Sequence, residues 1–162
     1  MTAHPTKKRR VIPTARIGWR EWISLPALGL GAVKAKVDTG ARTSSLHAFD
    51  LERFTEHGKS MVRFSVHPLQ RRDDVVVHCR AEVIDERSVS DSGGHKERRL
   101  VIFTPIRLGE HEWETEVTLT DRAEMRFRML LGRAALRGRF LVDPGASYRG
   151  GPRLDRLLGL VP

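Results

Sequence analysis

The spacing of the apolar residues limits the fold more than any other feature of this chain. Between Ile17 and Leu119 they come in short runs, each closed by proline, glycine or a charged cluster, and a single stretch, residues 133–138, reads as helix. Runs of this length form strands that must bury one face against other strands. Residues 17–25 and 32–37 are expected as two strands joined across Pro26 and the Gly29/Gly31 pair. Residues 61–66 alternate apolar and polar, and 75–84 do so more loosely after Pro68 and an Arg71-Arg72-Asp73-Asp74 turn. Residues 99–106 and 114–119 follow, separated by the tight turn Leu108-Gly109-Glu110-His111. Six to eight short strands with one short helix predict an all-β chain, a small closed barrel rather than a sandwich.

A length of 162 residues sets one domain as the expectation, with 40% hydrophobic and 30% charged residues excluding wholesale disorder. The domain is expected over residues 16–150, after a basic disordered tail at 1–15 carrying Lys7, Lys8, Arg9 and Arg10, and before a C-terminal extension at 151–162. Lys and Arg number 29 against 20 Asp and Glu, and the net +9 favours acidic peptides or polyanions as partners. Aromatic residues, at 6%, are too few for a base-stacking platform, so a nucleic-acid role rests on charge alone. The single cysteine, Cys79, excludes an internal disulfide framework and a multi-cysteine zinc site, and suits a reducing compartment. No apolar run approaches the roughly 18 residues of a membrane span, and the N-terminal stretch lacks the apolar segment of a secretory signal. A cytoplasmic location is the expectation.

The chemistry-bearing pattern begins at Asp38-Thr39-Gly40-Ala41, an acid at the end of an apolar strand followed at once by a hydroxyl and a glycine. A carboxylate that polarises water needs a fixed backbone. Gly40 allows a tight turn in which main-chain N–H groups approach the acid, and the Thr39 hydroxyl is placed to lock it. Some ninety residues later comes Met129-Leu130-Leu131-Gly132-Arg133-Ala134-Ala135-Leu136, two bulky apolar residues and a glycine followed by the helix. In between, the polar stretch at residues 86–98 has Ser92-Gly93-Gly94 at its centre and reads as a long hairpin tip.

Taken in order, these motifs resemble the retroviral-type aspartic proteases. More narrowly, residues 38–48, Thr118-Leu119-Thr120-Asp121-Arg122 and the Leu130-Leu131-Gly132 segment resemble the bacterial retropepsin-like family often labelled ATP-dependent zinc proteases, whose RimB-like branch is encoded beside a RimK-type glutamate ligase. The resemblance implies an aspartic endopeptidase with Asp38, Thr39 and Gly40 at the catalytic turn. Ala41 and Arg42 would border the substrate, Gly93 and Gly94 would tip a flap, and Leu130, Leu131, Gly132 and Arg133 would support the turn. Since the chemistry needs two carboxylates and the chain holds one such motif, it also implies a homodimer with one Asp38 from each copy.

The label's zinc and ATP find no counterpart in the residues. His111-Glu112-Trp113-Glu114-Thr115 lacks the second histidine of a zinc-peptidase motif, the seven histidines have no ligand spacing, and no phosphate-loop motif occurs. No metal and no cofactor are expected. His47 is open to two readings, a groove residue or a structural histidine. Arg42 stands where viral enzymes place an acid that pairs with the arginine opening the helix, so Arg42 faces Arg133. Asp121 is the expected neutraliser of one or the other. An arginine left over would favour acidic substrates. The rival reading is a peptide-binding or regulatory module of the same fold, acting on a partner such as a glutamate ligase.

Overall fold

The computed structural model describes residues 13, 15–90, 93–121, 126–151, 157 and 159. The basic run at residues 7–10, Ser92, Arg122 and most of 152–162 lie outside the described residues. In chain order the strands are β1 (Ala15–Ile17), β2 (Arg20–Leu25), β3 (Leu30–Asp38), β4 (Ser44–His47), β5 (Phe49–Glu56), β6 (Lys59–Val66) and β7 (Val77–Glu82). They continue with β8 (Asp85–Ser90), β9 (Lys96–Leu108), β10 (His111–Thr120), β11 (Met129–Gly132) and β12 (Phe140–Val142). One four-residue helix, α1 (Arg133–Leu136), follows β11 directly, and a 3-10 turn (Pro26–Leu28) joins β2 to β3 with Gly29 in the left-handed conformation at φ 72°.

The chain is all-β as expected, with more strands than the apolar runs advertise. Residues 17–25 break at Gly18-Trp19 into β1 and β2. Helix α1 stops at Leu136, short of Gly138. The stretch 85–98 is mostly paired strand: β8 and β9 run in register from Asp85↔Val101 to Ser90↔Lys96. Strands β4 and β5 have no expected counterpart. β4 is Ser-Ser-Leu-His, polar yet buried at all four positions, and β5 is largely exposed, so neither shows the alternation that marks a half-buried strand.

The main sheet runs β10-β4-β11-β3-β2-β9-β8, and β9 also pairs with β10, so the pairings pass round six strands and return to their start. Long β9 makes this possible. Its first half pairs with β8, its second half with β10, and at Arg107 it meets Ser24 of β2, the one residue pair that joins those two strands. Ile23, Leu25, Val33, Ala35, Leu46, Ile102, Ile106, Val117, Leu119, Met129 and Leu131 fill the interior and are almost wholly buried. A separate sheet, β5-β6-β7, adds Val62, Phe64 and Val66 to the same core.

Among the described residues, one acidic side chain is completely buried in this core. Glu21 of β2 accepts backbone N–H bonds from Arg149 at 2.6 Å and Gly150 at 2.9 Å, with Gly18 at 3.5 Å, all on Oε1. The carboxylate thereby ties the segment after β12 to the start of β2, where Trp19 N–H also bonds Ala146 O and Tyr148 N–H bonds Arg20 O. Removing it leaves these partly buried donors without their acceptor. Glu21→Ala is expected to cost about 2–3 kcal/mol in denaturant unfolding, the range for orphaned buried partners; a loss under about 0.5 kcal/mol, the level of a neutral surface change, would show that the tie is dispensable.

Candidate active site

Asp38 is the last residue of β3, and the parallel ladder with β11 sets it level with Gly132. Its Oδ1 accepts from Gly40 N–H at 3.0 Å and Ala41 N–H at 3.2 Å, while its own carbonyl accepts from Ala41 N–H at 3.3 Å. The turn is therefore closed by the acid itself. Oδ2 has no hydrogen-bond partner among the described residues, nor does the Thr39 hydroxyl expected to lock the turn; Thr39 contributes its carbonyl instead. Gly40 is not in the left-handed region, and its need for glycine is spatial: a Cβ there would lie 3.3 Å from Asp38 Oδ1.

Leu131 of the apolar segment is buried, Leu130 half-buried, and Gly132 packs where no side chain fits. A Cβ on Gly132 would meet Thr43 C at 2.5 Å, Thr43 O at 2.7 Å and Ser44 N at 2.8 Å. The contact is reinforced by Gly132 N–H donating to Ser44 Oγ at 3.0 Å in the interior. Helix α1 then caps the loop after Asp38 from the other side: Arg133 N–H bonds Ala41 O at 2.7 Å and Ala134 N–H bonds Arg42 O at 2.9 Å. The two motifs, far apart in sequence, form one backbone-to-backbone unit.

The charges are arranged differently from expectation. Arg133 Nη1 donates to Thr39 O at 2.9 Å, so a carbonyl satisfies it in place of a carboxylate. Asp121 pairs with neither Arg133 nor Arg42; its carboxylate lies 3.8 Å from His47 Nε2, because Thr120 and His47 are cross-strand partners and bring it there. Arg42 is exposed and makes no ion pair within 4 Å among the described residues. Glu116 of β10 lies within electrostatic reach of it: the Glu116 carboxyl is held below the usual carboxylate range mainly by Arg87, with a smaller contribution from Arg42. Arg87, on β8, grips Glu116 with both terminal nitrogens at 2.6 and 2.9 Å and reaches Asp85 at 2.7 Å. Gly93 and Gly94, at the exposed tip of the β8–β9 hairpin, sit beyond this anchor, with Gly94 at φ 80°.

Residues 16–151 match the family model described as retropepsin-like aspartic endopeptidase RimB. The chain belongs to the RimB-like family. Curated relatives of this RimB-like chain are each named probable alpha-L-glutamate ligase: one from Shewanella halifaxensis is 47% identical over 139 residues, and one from Desulfotalea psychrophila is 48% identical over 143. These matches cover 86% and 88% of the chain but only 30% and 31% of the relatives, so the RimB-like chain spans less than a third of their length. The crystal structure of Lpg0085 from Legionella pneumophila, a protein described as of unknown function, superposes with a TM-score of 0.72 at 27% identity, covering 85% of this chain and 99% of that one.

Sequence reasoning missed Ser44, Glu116 and Arg87 around the RimB-like turn. Ser44 lies only two residues beyond Arg42, but its hydroxyl matters through a partner 88 residues away. Arg87 and Glu116 are ordinary polar positions on outward strand faces, and only the β8–β9–β10 register joins them. Cys79 is inert by placement: burial pushes its thiol up to about 11, and Sγ donates to Leu28 O.

His47 is buried, with neither ring nitrogen hydrogen-bonded among the described residues. Burial, and next to it Arg128, lowers its pKa from the ordinary 6.5. The unfolded chain therefore takes up a proton on this ring more readily than the folded one. Stability tied to His47 is complete above about pH 6.5 and falls as pH drops toward the lowered folded value. Thermal unfolding between pH 8 and 5 is expected to show a smaller acid loss for His47→Asn than for the parent; equal losses would contradict it.

Proposed function

We propose that the chain is an aspartic endopeptidase that hydrolyses peptide bonds flanked by acidic residues, with water held between two Asp38 carboxylates contributed by two copies of the chain. The observation that carries this reading is the state of Asp38: one carboxylate oxygen is fixed by two main-chain N–H groups while the other has no partner among the described residues. Two such groups brought within about 3 Å cannot both ionise cheaply, so they share one proton. The ionised member takes a proton from the water, and the protonated member donates to the scissile carbonyl oxygen. Among the described residues no second Asp-Thr-Gly turn accompanies Asp38, and the reading therefore takes the second carboxylate from another copy of the chain.

The substrate class follows from charge and from the relatives. Arg42 borders the turn, is exposed, and has no carboxylate partner within 4 Å among the described residues. Proteins carrying a region like this one bear the name of a probable alpha-L-glutamate ligase, and a peptide with glutamate joined to it would be acidic. We infer that this chain works on chains of that kind, in association with a ligase. Those names also favour a second reading, a peptide-binding module that regulates a ligase without cleaving.

A fluorogenic peptide with glutamates around its cleavable bond, compared with the same peptide carrying glutamines, tests the proposal. Cleavage is expected to favour the glutamate peptide, and Arg42→Ala to reduce that preference roughly 10- to 150-fold, since hydrogen bonds between charged groups contribute about 1.5–3 kcal/mol. A uniform slowing of both peptides would make Arg42 a structural residue and remove the specificity claim. Binding of either peptide without any cleavage would favour the regulatory module.

A further inference from the structure

Three chain segments meet at Glu116. The parallel ladder of β10 with β4 starts at Val117↔Ser44, so Glu116 stands one residue before it, toward the exit of the Asp38 turn and within electrostatic reach of Arg42. On its other flank Glu116 pairs with Phe103 of β9, and its carboxylate reaches Arg87 on the hairpin arm. Among the described residues, the charges along this edge and at the turn are three guanidinium groups, Arg42, Arg87 and Arg133, and three carboxylates, Glu116, Asp85 and Asp38. The cluster is therefore close to neutral inside a chain of net +9. Both Glu116 oxygens are spent on Arg87, which leaves Arg42 attracted to Glu116 but not hydrogen-bonded to it.

We infer that Glu116 is a positioning residue that sets how strongly the site holds an acidic substrate: locked on Arg87, it leaves Arg42 available while its charge weakens the pull of the pair on a carboxylate. The inference rests on the reading of the Asp38 turn as the substrate site. Neutral overall, the cluster lets a substrate carboxylate bind Arg42 and lets an acidic product leave. Without the Glu116 charge it becomes a two-arginine trap. If instead Arg87 let go, Glu116 would turn to Arg42 and close the site to carboxylates.

Binding can be read apart from cleavage by using Asp38→Asn protein and following the anisotropy of labelled hexaglutamate and hexaglutamine peptides. Adding Glu116→Gln, which keeps one acceptor for Arg87, is expected to tighten hexaglutamate roughly 5-fold or more at low salt without tightening hexaglutamine equally, and Glu116→Asp to restore the parent value. Arg87→Gln is expected to do the opposite and weaken hexaglutamate, so the test survives if either variant fails to fold. Placing Glu116→Gln on an Arg42→Ala background must abolish the gain. Equal changes for both peptides, no change for hexaglutamate, or a gain that persists without Arg42 would overturn the inference. Failure of the wild-type protein to cleave any peptide would count against the peptidase reading only, since these measurements depend on binding.

Discussion

Asp38→Asn is expected to lower kcat/KM for peptide hydrolysis by roughly a thousand-fold or more while leaving thermal unfolding nearly unchanged, because a positioned acid–base group contributes on the order of 10²–10⁴ and here both members of the pair are replaced. The fold is spared for a geometric reason. Asparagine retains an Oδ1 in the same place, so the N–H groups of Gly40 and Ala41 keep their acceptor, and the half-buried side chain has little packing to lose. Activity within about ten-fold of the parent, where general acid–base catalysis would demand far more, would mean that another group performs the chemistry.

Gly132→Ala is the second large effect, and it falls on the fold. The added methyl group would press on Thr43 C and O and on Ser44 N, which are backbone atoms pinned by β4 pairing and by the Gly132 N–H to Ser44 Oγ bond. Nothing flexible can move aside. Overpacking of this kind costs about 1–3 kcal/mol and occasionally more, and a value at or above about 3 kcal/mol is expected here, with loss of activity because the Asp38 turn shifts with its support. Gly40→Ala is the control: its methyl group would meet only the Asp38 carboxylate at 3.3 Å, so chemical denaturation should register a much smaller loss. Equal costs at the two glycines would contradict the packing account.

Much of this site was legible in the sequence because its main links are backbone ones. Asp38-Thr39-Gly40-Ala41 and Leu130-Leu131-Gly132-Arg133 are local patterns whose apolar, small and acidic members each answer a steric or electrostatic need, and the structure sets Asp38 and Gly132 side by side. What escaped was polar. β4 is buried although Ser44, Ser45 and His47 are polar, since strands lie on both of its edges and other chain covers both of its faces. Glu21 escaped for a similar reason: its two shortest bonds come from main-chain N–H groups more than a hundred residues away. Ion-pair partners were misassigned where two choices were chemically equal. Asp121 suited an arginine as well as it suited His47, and only the β4–β10 register decides between them.

The central claim is that two copies of the chain each lend one Asp38 to a single catalytic pair, and subunit mixing tests it most directly. Wild-type and Asp38→Asn protein are unfolded together in equal amounts, refolded so that subunits exchange at random, and assayed at fixed total concentration. If the pair is shared, mixed dimers are inactive and activity is about one quarter of that of the all-wild-type sample. Activity of about one half, falling in simple proportion to the wild-type fraction, would show that each chain works alone and would contradict the account.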